Sequence, residues 1–281
     1  MPLNLKPLKI LTTYLQNSAM KMIFRIALVV LFLSSDVYAH EQKIVTPWNS
    51  RQGIRMFESS EYKSDFYQLA DYFQPQINPL YCGAATSVII LNAIAHHGDA
   101  ASQEALEVKT PKAFGGKNVT FTAYTQENFF NDATNKIKDR QIIDLKNITA
   151  ENENEASNFD PGLTLTQLHD ILSKAYGLKV KLTYVNKADN KSVDAFRAIA
   201  KKVLDDDKKY LIVNFHGNAL GLTTHGHISP VVAFDQASDS VLVMDVAGHK
   251  NGWYWVSTFD LVDAMNTKDG ENYRGYLVVS K

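Results

Sequence analysis

One of the 281 residues is a cysteine. Cys82 follows the turn-forming pair Asn78-Pro79 and precedes the run Val88 to Ala95, which is apolar on nearly every side. That pattern is a buried helix with the thiol in its first turn. Backbone N–H groups there lack intrahelical acceptors and the helix dipole is positive, so the position stabilises negative charge on sulfur. The same residue could be purely structural, because free cysteines are among the most buried residue types. What separates a nucleophile from a core thiol is a base.

A base is offered by the second half of the chain. Ile228 to Phe234 and Val241 to Asp245 read as two strands joined by Asp235-Gln236-Ala237-Ser238-Asp239, a hairpin loop. With the hairpin centred on Gln236, His227 faces Asp245. Opposed residues on one face have Cβ atoms about 4.5–5.5 Å apart, within reach of an imidazole–carboxylate hydrogen bond. A bulge would shift the register by one residue and separate them. A carboxylate that orients an imidazole, whose other nitrogen meets a thiol, is the nucleophile–base–orienter logic of covalent acyl transfer. The competing chemistry is metal binding: His225-Gly226-His227 is an H-x-H that could, with Asp245, hold an ion. His216 and His249 read as rim residues, and Trp253-Tyr254-Trp255 as core or edge strand more than cleft lining.

These groups need elements to position them. Ser64 to Phe73 has helical spacing, His96-His97-Gly98-Asp99 stops the cysteine helix, and Thr164 to Gln167 is a capping box opening a helix from Leu165 to Tyr176 that Gly177 ends. Leu178 to Val185 alternates as a strand, and Val193 to Leu204 is a further helix. Tyr210 to Phe215, the two hairpin strands, Trp253 to Val256 and Tyr276 to Ser280 are short β-type runs. His40 to Ser60 reads as an irregular polar arm, Ala105 to Asn131 as loop followed by an aromatic segment, and Lys138 to Asp160 as the least ordered stretch. Helices first and an antiparallel sheet after give an α+β class.

Composition narrows the partners. A formal net charge of −1 gives no global attraction to nucleic acid or anionic lipid. A single cysteine cannot build a thiolate zinc cage, and no phosphate-binding glycine motif occurs. Basic residues up to Arg25, the apolar run Ile26 to Leu33 and the sequence Val37-Tyr38-Ala39 read as a secretory signal peptide over 1–39, removed after Ala39, with Met20 or Met22 as alternative starts. The run is too short for a comfortable span, so the mature part, 40–281, is expected in the periplasm or secreted, without stable membrane insertion. A retained short anchor is the other reading. An unpaired cysteine in an oxidising compartment fits either burial or reactivity.

Four short motifs, in order along the chain, resemble the phytochelatin synthase family: Q-x-N-x-x-Y-C-G at Gln76 to Gly83, T-Q-E-N-F-F at Thr125 to Phe130, G-H-I-S-P at Gly226 to Pro230 and M-D-V at Met244 to Val246. Asp260-Leu261, Ala264-Met265-Asn266-Thr267 and Arg274-Gly275 extend the resemblance to its short bacterial form, without a cysteine-rich C-terminal region. The resemblance implies a papain-like, two-lobed fold, with a helical N-terminal lobe and an antiparallel β-sheet C-terminal lobe. It implies a triad of Cys82, His227 and Asp245, with Gln76 as oxyanion donor. Arg274 would bind the acyl group, with Asp269 beside it.

The implied substrate is glutathione, cut at its Cys-Gly bond with release of glycine. The γ-glutamylcysteinyl thioester would pass to water or to a second glutathione, giving γ-glutamylcysteine or phytochelatin. No tightly bound cofactor and no protein metal site are expected; Cd or Zn would enter as a glutathione thiolate complex, and a homodimer is left open. Gly217, Gly248 and Asn251-Gly252 stand where the family pattern has an arginine, another arginine and a proline pair, which points to hydrolysis over oligomer synthesis. The competing readings are a papain-like peptidase or amidase on another substrate, and a non-catalytic periplasmic glutathione- or metal-binding protein.

Overall fold

The computed structural model describes residues 44–96, 105–109, 111–144 and 162–281. The segment expected to be a signal peptide, 1–39, and most of the polar stretch before Asp160 lie outside the described residues. Residues 43–281 form one compact unit.

The strands are β1 (Thr46–Pro47), β2 (Ala105–Lys109), β3 (Asn118–Thr122), β4 (Lys179–Tyr184), β5 (Lys209–His216), β6 (Gly226–Asp235), β7 (Ser240–Val243), β8 (Tyr254–Ser257), β9 (Lys268–Asp269), β10 (Asn272–Tyr273) and β11 (Gly275–Ser280). The main helices are α1 (Arg51–Ser59), α2 (Ser64–Ala70), α3 (Cys82–His96), α4 (Asp132–Asn135), α5 (Arg140–Ile143), α6 (Leu165–Asp170), α7 (Asn190–Leu204) and α8 (Thr258–Met265). Seven strands form one antiparallel sheet in the order β1-β8-β7-β6-β5-β11-β4. The class is α+β.

Strands β5, β6 and β7 are buried almost throughout, so both sheet faces are covered and their sequences read as continuous apolar runs. Alternate residues go to opposite faces. Leu211, Val213 and Phe215 pack with Phe196 and Val203 of α7 and with Leu261 and Met265 of α8. Ile212 and Ile228 join the core on the other face, with Val88, Ile89 and Ile90 of α3 and Leu168 of α6. Val88, Ile89 and Ile90 are fully buried, and each such side chain contributes about 1.5–3 kcal/mol of transfer free energy. The Thr86 hydroxyl donates to the Ile228 carbonyl at 3.1 Å, pinning α3 to β6.

Local chemistry sets several ends. The Thr164–Gln167 capping box is present, and α6 continues into a wider π turn at Ile171–Ala175 before Gly177 takes φ +68°. Three expectations need correction. The N-terminal arm contains α1, capped by Ser50 (Gly53 N–H to Ser50 Oγ, 3.0 Å); only Gly53 and Met56 are buried, so its apolar stripe is too thin to read. The stretch after Ala105 holds the β2–β3 hairpin. Helices do not precede the sheet: α7 and α8 come late and cover its second face. Among the described residues no helix is long and apolar enough to cross a membrane.

One buried group opposes this stability. Asp65, in the first turn of α2, is fully buried and neither carboxyl oxygen has a hydrogen-bond partner. Burial, then the charge of Asp206, pushes its carboxyl well above the usual carboxylate range. The folded state therefore keeps a proton that the unfolded chain releases near pH 4, and stability falls as pH rises above that value. Asp65→Asn should raise Tm by about 2–6 °C at pH 7, with the gain vanishing toward pH 4. Equal Tm values for both proteins from pH 4 to 8 would sink this assignment.

Candidate active site

The His227–Asp245 pair forms, though not through the expected register. The β6–β7 hairpin pairs Asp235 with Ser240, Phe234 with Val241 and Ala233 with Leu242, and its turn runs from Gln236 to Asp239, where φ is +50°. Continued unchanged, that register would leave His227 and Asp245 on opposite faces. A bulge between Val231 and Ala233 adds one residue, so Val231 pairs with Val243 and the two side chains return to one face. Continuing this pairing sets Asp245 opposite Ser229 and makes His227 its diagonal neighbour. The bulge expected to destroy the pair is what creates it.

His227 Nε2 lies 2.7 Å from Asp245 Oδ1 and 3.0 Å from Ser229 Oγ. Asp245 also accepts from the Ala247 N–H at 2.7 Å and from the Asn251 amide at 3.2 Å. Ser229 Oγ accepts from the Val246 N–H at 3.3 Å. Burial alone would push the imidazole down; the charge and hydrogen bond of Asp245, then those of Cys82, outweigh it and raise His227 to about 10. Asp245 is buried too, which works against its charge, yet His227 and the Ala247 and Asn251 donors hold it below its usual value. Burial and the neighbouring Asp245 push the Tyr254 phenol far up, leaving it neutral.

Cys82 opens α3 as expected, nearly buried and unpaired, and it shares a pocket with His227, whose charged form it favours. Because Asp245 and Ser229 occupy Nε2, Nδ1 is the nitrogen left for the thiol. The turn before it is built by Asn78, whose carbonyl takes the Tyr81 N–H and whose side chain takes the Leu80 N–H, both at 3.0 Å. Tyr81 donates to Asp144 and accepts from Arg140 Nε at 3.1 Å, which anchors the residue preceding the thiol to α5.

Gln76 sits on this turn. Its amide donates at 2.9 Å to the carbonyls of Asn78 and Pro79, and its buried Oε1 has no partner. The segment is held by Gln126, which accepts from the Ile77 N–H and donates to Gln74 Oε1 and the Pro75 carbonyl, each at 3.0 Å. That gives the T-Q-E-N-F-F motif a structural role that spacing alone could not reveal.

A pocket of about 240 Å³ opens beside the thiol, lined by Cys82, His227, Leu163, Asn214, Asp269 and Arg274 among others. Arg274 Nη2 meets Asp269 Oδ1 at 3.3 Å, and the other carboxylate oxygen accepts from Asn214 at 2.7 Å. Arg274 Nε is buried without a partner. A Cβ on Gly226 would lie 2.6 Å from Arg274 Nη2, so a larger residue there would displace the end of the guanidinium. Gly217, in place of the expected arginine, is equally closed: a Cβ would lie 2.0 Å from Thr224 Oγ1. Gly248 has room, with Pro75 3.7 Å from such a Cβ. Asn214 and Ser229 escaped sequence reading because each is a single polar residue inside an apolar strand.

The metal reading of His225-Gly226-His227 with Asp245 loses its ligands, since His227 and Asp245 are bonded to each other. Among the described residues no cluster of three or more His, Cys, Asp or Glu is placed to hold an ion. If Asp245 sets the charge of His227, Asp245→Asn should bring the His227 ring titration down from about 10, because burial then acts with less opposition. Ring-proton NMR from pH 5 to 10.5 measures this, and one unchanged midpoint in both proteins would refute it.

The family model for phytochelatin synthase matches residues 40–276. Glutathione gamma-glutamylcysteinyltransferase 3 of Lotus japonicus is 27% identical over 222 residues, which cover 77% of this chain and 37% of the relative. Glutathione gamma-glutamylcysteinyltransferase 1 of Triticum aestivum is 26% identical over 241 residues (83% and 40%). Glutathione gamma-glutamylcysteinyltransferase of Schizosaccharomyces pombe is 24% identical over 217 residues (76% and 43%). The chain thus spans about two fifths of the length of the curated relatives it matches. Because the family model matches 40–276, most of its length, the chain belongs to the phytochelatin synthase family, whose named relatives are enzymes.

Proposed function

We propose that this protein is a thiol acyl-transfer enzyme acting on glutathione, with hydrolysis as its main outcome. The observation that carries the reading is one pocket holding Cys82, His227 and the Arg274–Asp269–Asn214 network. The substrate's γ-glutamyl end carries an ammonium and a carboxylate. Asp269 would take the first, and the Arg274 guanidinium the second. A peptidase or amidase on another substrate would use the same three catalytic residues, but has less need of such a charge pair beside the thiol. The reading corresponds to the papain-like arrangement, in which a thiol helix faces a sheet carrying the base.

In this mechanism Cys82 sulfur attacks the carbonyl between cysteine and glycine. The tetrahedral oxyanion forms near the first turn of α3, whose backbone N–H groups are available donors. Gln76 would join them by releasing one of its two carbonyl partners. His227, charged through Asp245, gives its proton to the departing glycine amine. A γ-glutamylcysteinyl thioester remains on Cys82. His227, now neutral, takes a proton from water and γ-glutamylcysteine leaves; attack by the amine of a second glutathione would instead give phytochelatin. Gly217 leaves no side chain to bind that second molecule, which is why water is favoured. Heavy-metal ions such as Cd or Zn would enter as glutathione thiolate complexes, as cargo. Export through the 1–39 signal would place the reaction in the periplasm or outside the cell.

Incubating the protein with reduced glutathione, with and without Cd²⁺, and separating the thiols should yield glycine and γ-glutamylcysteine with few longer oligomers. Cys82→Ala should abolish turnover, and Asp245→Asn should cut kcat by about 10²–10⁴. Turnover that survives Cys82→Ala would remove the thiol mechanism, and mostly longer oligomers would reverse the product preference. Arg274→Ala should raise KM by about tenfold or more with a smaller effect on kcat; an unchanged KM would take Arg274 out of substrate binding.

A further inference from the structure

Two imidazoles, one lining the pocket and one beside it, have no part in that reaction. His216 ends β5 and His225 immediately precedes β6; their ring centroids are 6.0 Å apart, with planes at 70°. The backbone holds them together: the Gly217 N–H donates to the His225 carbonyl at 2.7 Å. Directly across from His216 stands Gly226, so no side chain intervenes. His225 lines the catalytic pocket, and neither imidazole makes a side-chain hydrogen bond among the described residues. Two imidazoles bound to one tetrahedral ion, with metal–nitrogen bonds of about 2.0–2.1 Å, have centroids roughly 5–6 Å apart. The observed separation suits that arrangement with small ring rotations. The positive charge of nearby Arg274 is countered by Asp269.

We propose that His216 and His225 form a two-imidazole site for a borderline divalent metal ion such as Zn²⁺, at the rim of the catalytic pocket. The protein fills two coordination positions, and the others stay open to water or to an incoming thiolate. That last clause rests on the glutathione reading above; the two-histidine site does not. Imidazole suits zinc, copper and nickel, and an exogenous thiolate would complete a mixed nitrogen–sulfur set. His227 is not part of this site, being committed to Asp245 and Cys82.

The test is calorimetric titration of untagged full-length protein with ZnCl₂, in a Cys82→Ser background that removes the competing thiol. One ion per chain should bind, and His216→Asn and His225→Asn should each weaken binding by about tenfold or more. Circular dichroism and Tm check that both variants fold. Titration with Co²⁺ gives a second reading, because visible d–d bands should appear in the parent and fade in either variant. Absence of binding in the Cys82→Ser protein, or an affinity in either histidine variant equal to that of the Cys82→Ser parent, would overturn the site. Adding glutathione should tighten Zn²⁺ binding. If it does not, the open-position clause falls while the histidine site stands, so failure of the substrate reading and failure of the site are told apart.

Discussion

The buried pair of His227 and Asp245 is the interaction on which the rest of the structure depends, because their side chains are only 3% and 0% exposed. Two ionisable groups persist in such a place only while they are paired and their remaining valences are met; removing one partner costs about 3–5 kcal/mol. Here those valences are met by Ser229, the Ala247 N–H and Asn251. Asn251 reaches Asp245 from the loop beyond β7 with a side-chain donor. The helices on both sheet faces keep water from the pair, and the thiol of α3 reaches it from the pocket side.

Sheet order divides the labour. His227 and Asp245 sit on β6 and just beyond β7, while Asn214 sits on the neighbouring β5, with Arg274 just before β11 and Asp269 on β9. Asn214 lies directly across from Gly275, the residue after Arg274, so the adjacency of β5 and β11 brings the guanidinium, Asp269 and the Asn214 amide together. Gly226 then removes the one side chain that would obstruct the guanidinium. The His227–Asp245 pair and the Arg274–Asp269–Asn214 group are thus separate hydrogen-bonded networks that meet at one pocket.

How much of this was legible varied with the kind of signal. Cys82 was readable because a single thiol between a turn and an apolar run has few meanings. The Thr164–Gln167 cap and most strands of the sheet were readable because capping and alternation are local. The identities of His227 and Asp245 were readable, but the register that joined them was not, since neither the four-residue turn ending at Asp239 nor the bulge at Val232 has a distinctive residue. Gln76, Arg274 and Asp269 came from resemblance alone, because their meaning lies in long-range contacts. Helix α8 was missed because it follows β8 without any intervening loop, so no turn residue marks its start beyond the Ser257 cap.

The bulge also makes chain length a heritable constraint. Residues Gln236 to Ser238 can change in identity with little effect on the face presented by Asp245. Gain or loss of one residue between Phe234 and Val243 would turn the carboxylate to the opposite face while leaving Cys82, His227 and Asp245 themselves unchanged in identity. Natural variation along this hairpin is therefore expected as substitutions, or as paired insertions and deletions that keep parity. A relative with a lone single-residue gap there would have lost its orienting carboxylate while retaining every residue by which the family is recognised.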